Sequence, residues 1–390
     1  MTLQNHTYTP AILLIDIPPS ILCGIDLLSF TTSPRFLGIK DLPPGFHFIF
    51  TSETSSLSLR DGFWFHVPQP NRDLAPLLIV CKWDSQRGCL TSLNDTESYR
   101  AKLTDIWDTG LSPYRQRAQK EALIESGDWD LLTTHVTPQT LRHLSQNDHW
   151  SLNSAGCATV DQDDIPGLNI EEIGYEERKL GVLGIDLKRT WPKEAVGRER
   201  TDAAIDRTWA LEGLVKRWKS DTHGWGHILL GQMEVCFIMI LTLANYSCLE
   251  EWKRCLNLVL TCRRALREHE QFFVDFLVLL RKQIERCEDV EGGLFDMTDE
   301  GGSLLKSRLK GFKQILGQAF SLPEGEDVKE EMEELEQTLS RMYDWNLTEN
   351  YVKRGTLELE DGETVGIVLN GMDEEEDGEY APVIVELDNT

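Results

Sequence analysis

The sequence predicts an α+β protein in which a β-rich, sandwich- or barrel-like N-terminal domain precedes a C-terminal α-helical bundle and an acidic tail. Three observations support this: short apolar runs broken by Pro and Gly up to about residue 90, helical periodicity from about residue 201 to 343, and an excess of acidic residues after Glu324. A chain of 390 residues exceeds one comfortable core. We place the domains at residues 1–158, with flanking helices, and 195–345, joined by a linker at 159–194 and followed by a tail at 346–390.

The predicted strands of the first domain are short apolar or aromatic runs at residues 11–17, 45–50, 62–67 and 77–83. Turn signals separate them, which is typical of a sandwich or barrel. The aromatic run Phe63-Trp64-Phe65 also resembles a base-stacking platform. Because no basic patch surrounds it, packing in a core is the favoured interpretation.

Helical patterns begin near residue 97 and flank the β-rich domain. Residues 97–107 and 114–125 are predicted helices, and a third helix is predicted to start with Thr137 as its cap and Pro138 at its first position. Residues 151–177 are polar, acidic and rich in Gly, Asn and Asp, so the linker is placed in this part of the chain.

The second domain is predicted to be a helical bundle with one central helix. Residues 227–246 are apolar nearly all round, which indicates a helix buried on every side. Ile205 and Trp209 lie with Leu211, Leu214 and Val215 on one broad apolar face of a predicted helix at 201–219. The remaining predicted helices cover residues 249–267, 272–284, 304–320 and 328–343.

The net charge of −26 is concentrated near the C-terminus, where residues 324–390 hold 22 acidic and 4 basic residues. A negative field repels phosphate backbones, so direct binding of nucleic acid is disfavoured. The tail is interpreted as an interaction arm, a solubility device or a mimic of nucleic acid; a solvated tail with no partner is the plain alternative.

Two Val- and Ile-rich runs in the tail, residues 364–369 and 382–387, favour strands and have no sheet of their own in the sequence. In the second run Val383, Val385 and Leu387 alternate with Ile384, which is typical of a strand with two different faces. These four side chains are therefore candidate partner-binding residues, offered to an edge of another protein's sheet.

The nine cysteines include no C-x-x-C pair and several lie among apolar helical residues, so reduced, buried thiols are expected. The apolar run near the N-terminus ends at Asp16 without a preceding basic region, so no signal peptide is expected. The longest apolar stretch, residues 235–241, is far short of the roughly 20 residues that cross a bilayer, so no membrane segment is expected.

Motifs for catalysis or cofactor binding are missing from the sequence. It contains no phosphate-binding glycine loop, no H-E-x-x-H and no G-x-S-x-G. His223 and His227 have the i, i+4 spacing of metal ligands, but two glycines between them favour a turn. We therefore assign no catalytic, metal or cofactor residue and expect no cofactor.

Lys188, Arg189 and Trp191 form the one short motif that suggests partner binding outside the tail. Cations beside an exposed Trp can dock a partner through cation–π and stacking contacts. The alternative is a linker held on its own domain by a buried Trp191.

Eight blocks of residues occur in a fixed order along the chain: Leu13-Leu14-Ile15-Asp16-Ile17-Pro18, Gly24-Ile25-Asp26, Phe36-Leu37-Gly38-Ile39-Lys40, Pro43-Pro44-Gly45-Phe46-His47-Phe48, Gly62-Phe63-Trp64-Phe65, Asp186-Leu187-Lys188-Arg189-Thr190-Trp191, Leu229-Leu230-Gly231-Gln232 and Glu251-Trp252-Lys253-Arg254-Cys255-Leu256-Asn257-Leu258. Together these blocks are similar to the A1 cistron-splicing factor family, most of all to its filamentous-fungal members. The resemblance extends from about residue 11 to 286, and no motif of it is identified from about residue 321 onward.

The resemblance implies a non-enzymatic splicing factor that acts as an assembly chaperone. Members of the family bind the large scaffold protein of the U5 particle, through its RNase H-like and Jab/MPN-like domains, in the cytoplasm and during nuclear import. They leave before the RNA helicase docks. We accordingly expect cytoplasmic and nuclear localisation, no direct contact with nucleic acid or membrane, and a monomer when free. Two other classes stay open: an unrecognised enzyme with its site at the domain interface, and an RNA-binding protein.

Overall fold

The computed structural model describes residues 8–54, 58–71, 73–115, 128–164, 179–218, 224–287, 301–320, 325–347, 353–358 and 364–369. It confirms the predicted α+β class: two β-sheets are built from the N-terminal part of the chain, and a helical region follows. No helix in these ranges has the length and apolar character that crossing a membrane requires.

Strands β1 to β10 of the described chain form two five-stranded sheets, with the orders β8-β7-β1-β4-β9 and β10-β6-β5-β2-β3. The four predicted runs correspond to β1, β5, β6 and β7; the other strands have three or four residues, too few for a clear alternation. The bounds are β1 Ala11–Ile15, β2 Leu22–Ile25, β3 Leu28–Thr31, β4 Gly38–Lys40, β5 Gly45–Ser52, β6 Arg60–Val67, β7 Leu78–Asp84, β8 Cys89–Ser92, β9 Leu111–Pro113 and β10 Ser151–Asn153.

Successive side chains of a strand point to opposite faces of its sheet, so the apolar residues of the strands belong to three different buried clusters. On β1, Ile12 and Leu14 face the core between the sheets, whereas Leu13 faces a separate cluster with Leu103 and Trp107. On β5, Ile49 joins the core between the sheets, while its neighbours belong to the large cluster shared with the helices. The N-terminal part is therefore a sandwich covered by helices on its two outer faces.

The aromatic run on β6 packs inside the protein. Trp64 and Phe65 are buried, and Phe63 packs against the core between the sheets. The Trp64 and Trp129 rings stack with centroids 5.8 Å apart, and the Trp129 indole N–H donates to the carbonyl of Phe46 at 2.7 Å. The favoured interpretation, packing in a core, is thus the one that the structure supports.

The helices agree with the predicted pattern except at three breaks. The predicted helix at 97–107 is two short helices, and those at 201–219 and 249–267 are each divided in two. The predicted helix at 114–125 lies mostly outside the described residues, and Tyr114 and Arg115 are in no helix. The bounds are α1 Glu97–Arg100, α2 Leu103–Ile106, α3 Asp128–Leu132, α4 Pro138–Ser145, α5 Arg198–Ile205, α6 Thr208–Arg217, α7 His227–Leu243, α8 Tyr246–Val259, α9 Arg263–Glu268, α10 Glu270–Glu285, α11 Gly301–Ala319 and α12 Glu326–Tyr343.

One side chain explains the break between α5 and α6 and contributes to the start of α9. The Asp206 carboxylate accepts the backbone N–H of Thr208, at the start of α6, at 3.1 Å. It also accepts the N–H groups of Arg263 and Arg264 at 3.0 and 3.1 Å, at the start of α9. Asp satisfies the free donors of a helix N-terminus well, so here it ends one helix and supports the beginning of two others. The predicted start of α4 is confirmed: the Thr137 hydroxyl accepts the N–H of Thr140 at 3.1 Å.

Helix α7 is the helix on which the sheets and the bundle meet. Its N-terminal half packs against the turn before α4: the Glu234 carboxylate accepts the backbone N–H and the ring Nδ1–H of His135, each at 2.7 Å. A Cβ added at Gly231 would lie 2.5 Å from the His135 carbonyl oxygen, so only Gly permits this approach.

The C-terminal end of α7 and the start of α8 bind the sheet side in the same way. The Arg60 guanidinium on β6 donates to the Thr242 carbonyl at 2.7 Å. The Asn245 amide donates to the carbonyls of Asn153 and Gly156 at 3.0 and 2.9 Å. Strand β10, in a stretch predicted to be irregular, thus lies between β6 and the end of α7.

The predicted domain boundaries stay a prediction. What the described residues add is that Leu180 and Leu183, in the proposed linker, are buried in the same cluster as Phe48 of the sheet and Phe237 of α7. This part of the linker is packed on the protein.

We expect Gly231→Ala to lower the free energy of unfolding by about 1–3 kcal/mol, because the new methyl group overlaps a backbone carbonyl. Gly213→Ala on α6 is the matched control: nothing lies within 4 Å of its added Cβ, so the better helix former should stabilise by about 0.5–1 kcal/mol. Denaturant unfolding of both variants measures this, and equal effects would contradict the proposed close approach.

We also expect the Glu234–His135 pair to make stability depend on pH. Burial raises the pKa of Glu234 from 4.5 to about 7; burial lowers the pKa of His135, but the hydrogen bond and charge of Glu234 outweigh it and raise that pKa overall. Both groups hold protons more tightly in the folded state. Their stabilisation is therefore fully present below pH 4.5 and is lost as the pH rises through about 7.

Glu234→Gln should accordingly flatten the dependence of the unfolding free energy on pH between about pH 5 and 8, measured by urea denaturation. Glu199→Gln, an exposed change on α5, should leave that slope as it is in the wild type. Parallel curves for wild type and Glu234→Gln would show that the pair does not titrate with folding.

Candidate partner-binding surface

A buried ionic group holds the two ends of the linker region on α8. The Arg254 guanidinium donates to Asp161 at 2.7 Å and to Glu251 at 3.0 Å, and the other Glu251 oxygen accepts the backbone N–H of Leu183 at 2.8 Å. Both carboxylates are almost fully buried. Asp161 and Leu183, one from each described part of the linker region, are thereby held on one helix.

The pKa shifts of this group follow from its burial. Burial raises the pKa of Glu251, and the positive charge of Arg254 only partly offsets it. Burial lowers the pKa of Arg254, but the hydrogen bonds and charges of Asp161 and Glu251 outweigh it and raise that pKa above its ordinary value. Each charge of this group therefore stabilises the ionised form of its partner, and together they form a buried ionic anchor.

Beyond this anchor, a turn presents two cations to solvent. The backbone N–H groups of Lys188 and Arg189 donate to the side chain and the carbonyl of Asp186, at 2.9 and 3.3 Å. Thr190 is only 1% exposed, and its hydroxyl donates to the Ala203 carbonyl on α5 at 2.9 Å. The turn is thus held between α8 and α5.

The structure places the predicted motif as follows: Lys188 and Arg189 are exposed, and Trp191 is half-buried. The buried residue that pins this turn is Thr190. The sequence analysis missed its role, because a lone Thr gives no signal until its acceptor on another helix is known. The other predicted partner-binding residues, Val383, Ile384, Val385 and Leu387, lie outside the described residues, so their relation to the motif stays a prediction.

Helix α5 lies among three exposed apolar side chains, two of which, Ile205 and Trp209, were predicted to lie on the apolar face of a longer helix. Its eight residues include none that is buried, although helices this short are marginal in water without packing. Val196, Ile205 and Trp209, before, on and after α5, are 67%, 52% and 44% exposed. The predicted common face with Leu211 and Leu214 is wrong for Ile205, because the break at Asp206 interrupts the helical spacing. It is also wrong for Trp209, which lies on α6 with Leu211 but on the opposite side of that helix. We call Lys188, Arg189, Trp191, Val196, Ile205 and Trp209 the linker–α5 surface.

The tail contains a hairpin of two strands, β11 Lys353–Glu358 and β12 Thr364–Leu369, with Lys353 paired to Leu369. The predicted strand at 364–369 is confirmed, but the expectation that it has no strand partner is wrong. Within the described ranges these two strands form a separate sheet. A two-stranded hairpin is marginally stable alone, so it gains from a further strand or a covering surface.

A second buried acid–histidine group, in the sandwich, bears on the enzyme alternative. The Asp26 carboxylate lies 2.8 Å from His47 Nδ1 and accepts the Tyr114 hydroxyl at 2.5 Å. His47 Nε2 lies 2.9 Å from the Pro43 carbonyl. Burial lowers the pKa of His47, but Asp26 outweighs it and raises that pKa overall. All these polar atoms are engaged inside the sandwich, which is typical of a structural pin for the Pro43 loop.

A cavity of about 280 Å³ lies where the start of α4, the end of α6 and the start of α7 meet. Glu212, Lys216 and His227 are its titratable lining groups, and the hydroxyl of Thr137, which also lines it, caps α4. His223, which the sequence analysis paired with His227, lies outside the described residues. Among the residues that the structure does describe, no group of three or more His, Cys, Asp or Glu could hold a metal ion.

The fold and these surfaces define a class: an α+β protein with an anchored, exposed segment and a C-terminal hairpin. Comparison with known families matches residues 8–146 to the AAR2 N-terminal domain and residues 183–348 to the AAR2 C-terminal repeat region. The Protein AAR2 homolog of Homo sapiens is 22% identical over 371 residues, covering 86% of this chain and 89% of the relative. That of Caenorhabditis elegans is 23% identical over 370 residues, covering 86% and 94%.

The chain therefore belongs to the AAR2 family. The resemblance to the A1 cistron-splicing factor family is thereby confirmed, and the protein is a splicing-related factor.

We expect Arg254→Met to lower the free energy of unfolding by about 3–5 kcal/mol, because Asp161 and Glu251 would be left buried without a counter-charge. Hydrogen exchange should increase most in residues 179–195. Arg198→Met, at an exposed i, i+4 pair, should change stability by less than about 0.5 kcal/mol. Unchanged exchange in the linker region would show that it does not depend on this group.

Proposed function

We propose that this protein is a non-enzymatic assembly chaperone of the U5 particle that binds its large scaffold protein through the RNase H-like and Jab/MPN-like domains. The observation that carries the proposal is family membership over both parts of the chain. By holding the two scaffold domains together in the cytoplasm and during import to the nucleus, the protein blocks premature binding of helicase and RNA. It is a monomer when free, and it contacts the scaffold rather than nucleic acid.

The linker–α5 surface supports a role in binding protein. It combines two exposed cations with a half-buried and an exposed Trp, and aromatic residues and Arg are enriched at the energetic centres of interfaces. Its backbone is fixed beforehand by Thr190 and by the Arg254 group, so little conformational entropy is lost there on binding.

The tail supplies a second, extended contact. Residues 382–387 pair along an exposed edge of the scaffold, with Val383, Val385 and Leu387 on one face and Ile384 on the other. The hairpin of β11 and β12 lies just before this segment in the chain. Two contacts linked by one chain bind more tightly than either alone, because the second forms at a high effective concentration.

The test is calorimetry with a scaffold fragment that contains both domains. Deleting residues 380–390 should weaken binding without changing the melting temperature, and Ile384→Pro should do the same if its N–H pairs with the scaffold. Ile205→Ser should weaken binding by about tenfold, or ~1.4 kcal/mol. Leu74→Ser is the matched control: Leu74 is 69% exposed on the sandwich, so its loss should not change affinity.

Each contact can fail separately in this design. Equal affinity of the truncated and full-length proteins would leave the tail as a solvated appendage. Equal affinity of Ile205→Ser and Leu74→Ser would remove the linker–α5 surface from the interface. No binding by the wild type would overturn the proposed partner.

A further inference from the structure

Helices α9 and α11 form a basic strip on this otherwise acidic protein. Together they carry seven Lys and Arg and one Glu, in a chain of net charge −26. They pack side by side: the Arg267 guanidinium on α9 donates to the Ala319 and Gln318 carbonyls at the end of α11, at 2.6 and 3.3 Å. The strip consists of Arg263, Arg264, Arg267, Lys306, Arg308, Lys310 and Lys313.

Only part of this charge is balanced by neighbouring carboxylates. Lys313 pairs with Glu336 at 2.6 Å, and Arg264 pairs with Glu212 at 2.9 Å and Glu268 at 3.4 Å. Asp206 lies at the start of α9, but there it accepts backbone N–H groups.

Three other cations of the strip contact neutral groups. Arg267 donates to carbonyls, Arg308 donates to the Asn257 side-chain oxygen at 2.7 Å, and the Lys306 ammonium lies 5.8 Å from the centre of the Trp345 ring. Arg263 is exposed. Because these contacts do not cancel charge, the three cations still attract an anionic segment.

The chain itself leaves the bundle beside this strip. After α12, Trp345 lies over Lys306 of α11, and Leu347 is buried in the core. Beyond Arg354 there is no further Lys or Arg: residues 355–390 contain 12 acidic residues, six of them in 373–379. A strongly acidic segment is therefore tethered next to a basic one.

The tether is long enough for the two to meet. The hairpin pairs Lys353 with Leu369, so its length adds little to the separation. The residues between Leu347 and Lys353 and between Leu369 and Asp373 span at most about 35 Å when extended. Helix α11, with 19 residues, is about 28 Å long, so all of it lies within reach of Asp373.

We propose that the acidic run at residues 373–379 docks on the basic strip of its own chain. Tethering gives the run an effective concentration of about millimolar, so contacts that are weak between separate molecules suffice. The contact screens the strip from RNA and other polyanions in the free protein. It involves the acidic run alone and leaves residues 382–387 available, so it does not depend on the proposed scaffold partner.

Zero-length carbodiimide cross-linking of the full chain, read by mass spectrometry, tests the contact. We expect amide bonds between carboxylates of 373–379 and the ammonium groups of Lys306, Lys310 or Lys313, in a yield that does not change on dilution. In 1 M salt, where the Debye length is about 3 Å, the yield should fall at least fivefold. Arg263→Glu should lower it, whereas Arg198→Glu, at an arginine that is 93% exposed and off the strip, should not.

A second measurement uses a single-stranded RNA probe. Wild-type protein should not bind it measurably, whereas a variant with Asp373→Asn, Glu374→Gln, Glu375→Gln, Glu376→Gln and Asp377→Asn should bind with a strong dependence on salt. Equal and measurable RNA affinity of the two proteins would assign the strip to RNA and overturn the proposal, and a variant that binds no RNA would also overturn it. So would cross-links of the α11 lysines only to residues 288–300, or equal yields at lysines off the strip.

Discussion

The packing of the other elements depends on one constraint, which is that α7 has to be buried on nearly every side. An apolar helix of 17 residues has to be covered on all sides, and here the sheet side supplies part of that cover. Hydrogen bonds from polar residues fix which segments pack against it. Glu234 binds the turn before α4, and Asn245, just beyond α7, binds the loop after β10. Gly231 lets the His135 backbone approach closely. The β-rich and helical parts therefore share one core, so their relative position is part of the fold.

This shared core explains how the proposed partner-binding segment can be rigid although it joins the β-rich and helical parts of the chain. Apolar residues of the linker region enter the core, while the Arg254 group satisfies buried carboxylates that would otherwise be costly. What is left at the surface is a short turn with cations, beside a helix that buries nothing of its own. A surface whose backbone is fixed in advance loses little conformational entropy when it binds, which agrees with the role proposed above.

Basic and acidic residues are separated in the C-terminal part of the chain, the basic ones on α9 and α11 and the acidic ones in the tail. The bundle ends beside its most basic helices, and beyond Arg354 every charged residue is acidic. A self-contact of this kind is reversible and sensitive to salt, because exposed ion pairs are individually weak. The proposed self-contact would let one tail protect a basic surface in the free protein and keep its last residues for the proposed partner.

The sequence by itself determined the α+β class, the longer strands, the capped start of α4, the burial of α7 and the family, because these follow from local periodicity, turn residues and ordered motifs. Only the tertiary structure decided which apolar residues stay exposed: α5 ends at Ile205, where Asp206 begins the turn, and Trp209 lies on the exposed side of α6. It also decided the short strands and the role of Thr190, whose acceptor lies on another helix. The physical reason is range: a hydrogen bond or a packing contact between distant residues leaves no periodic trace in the chain.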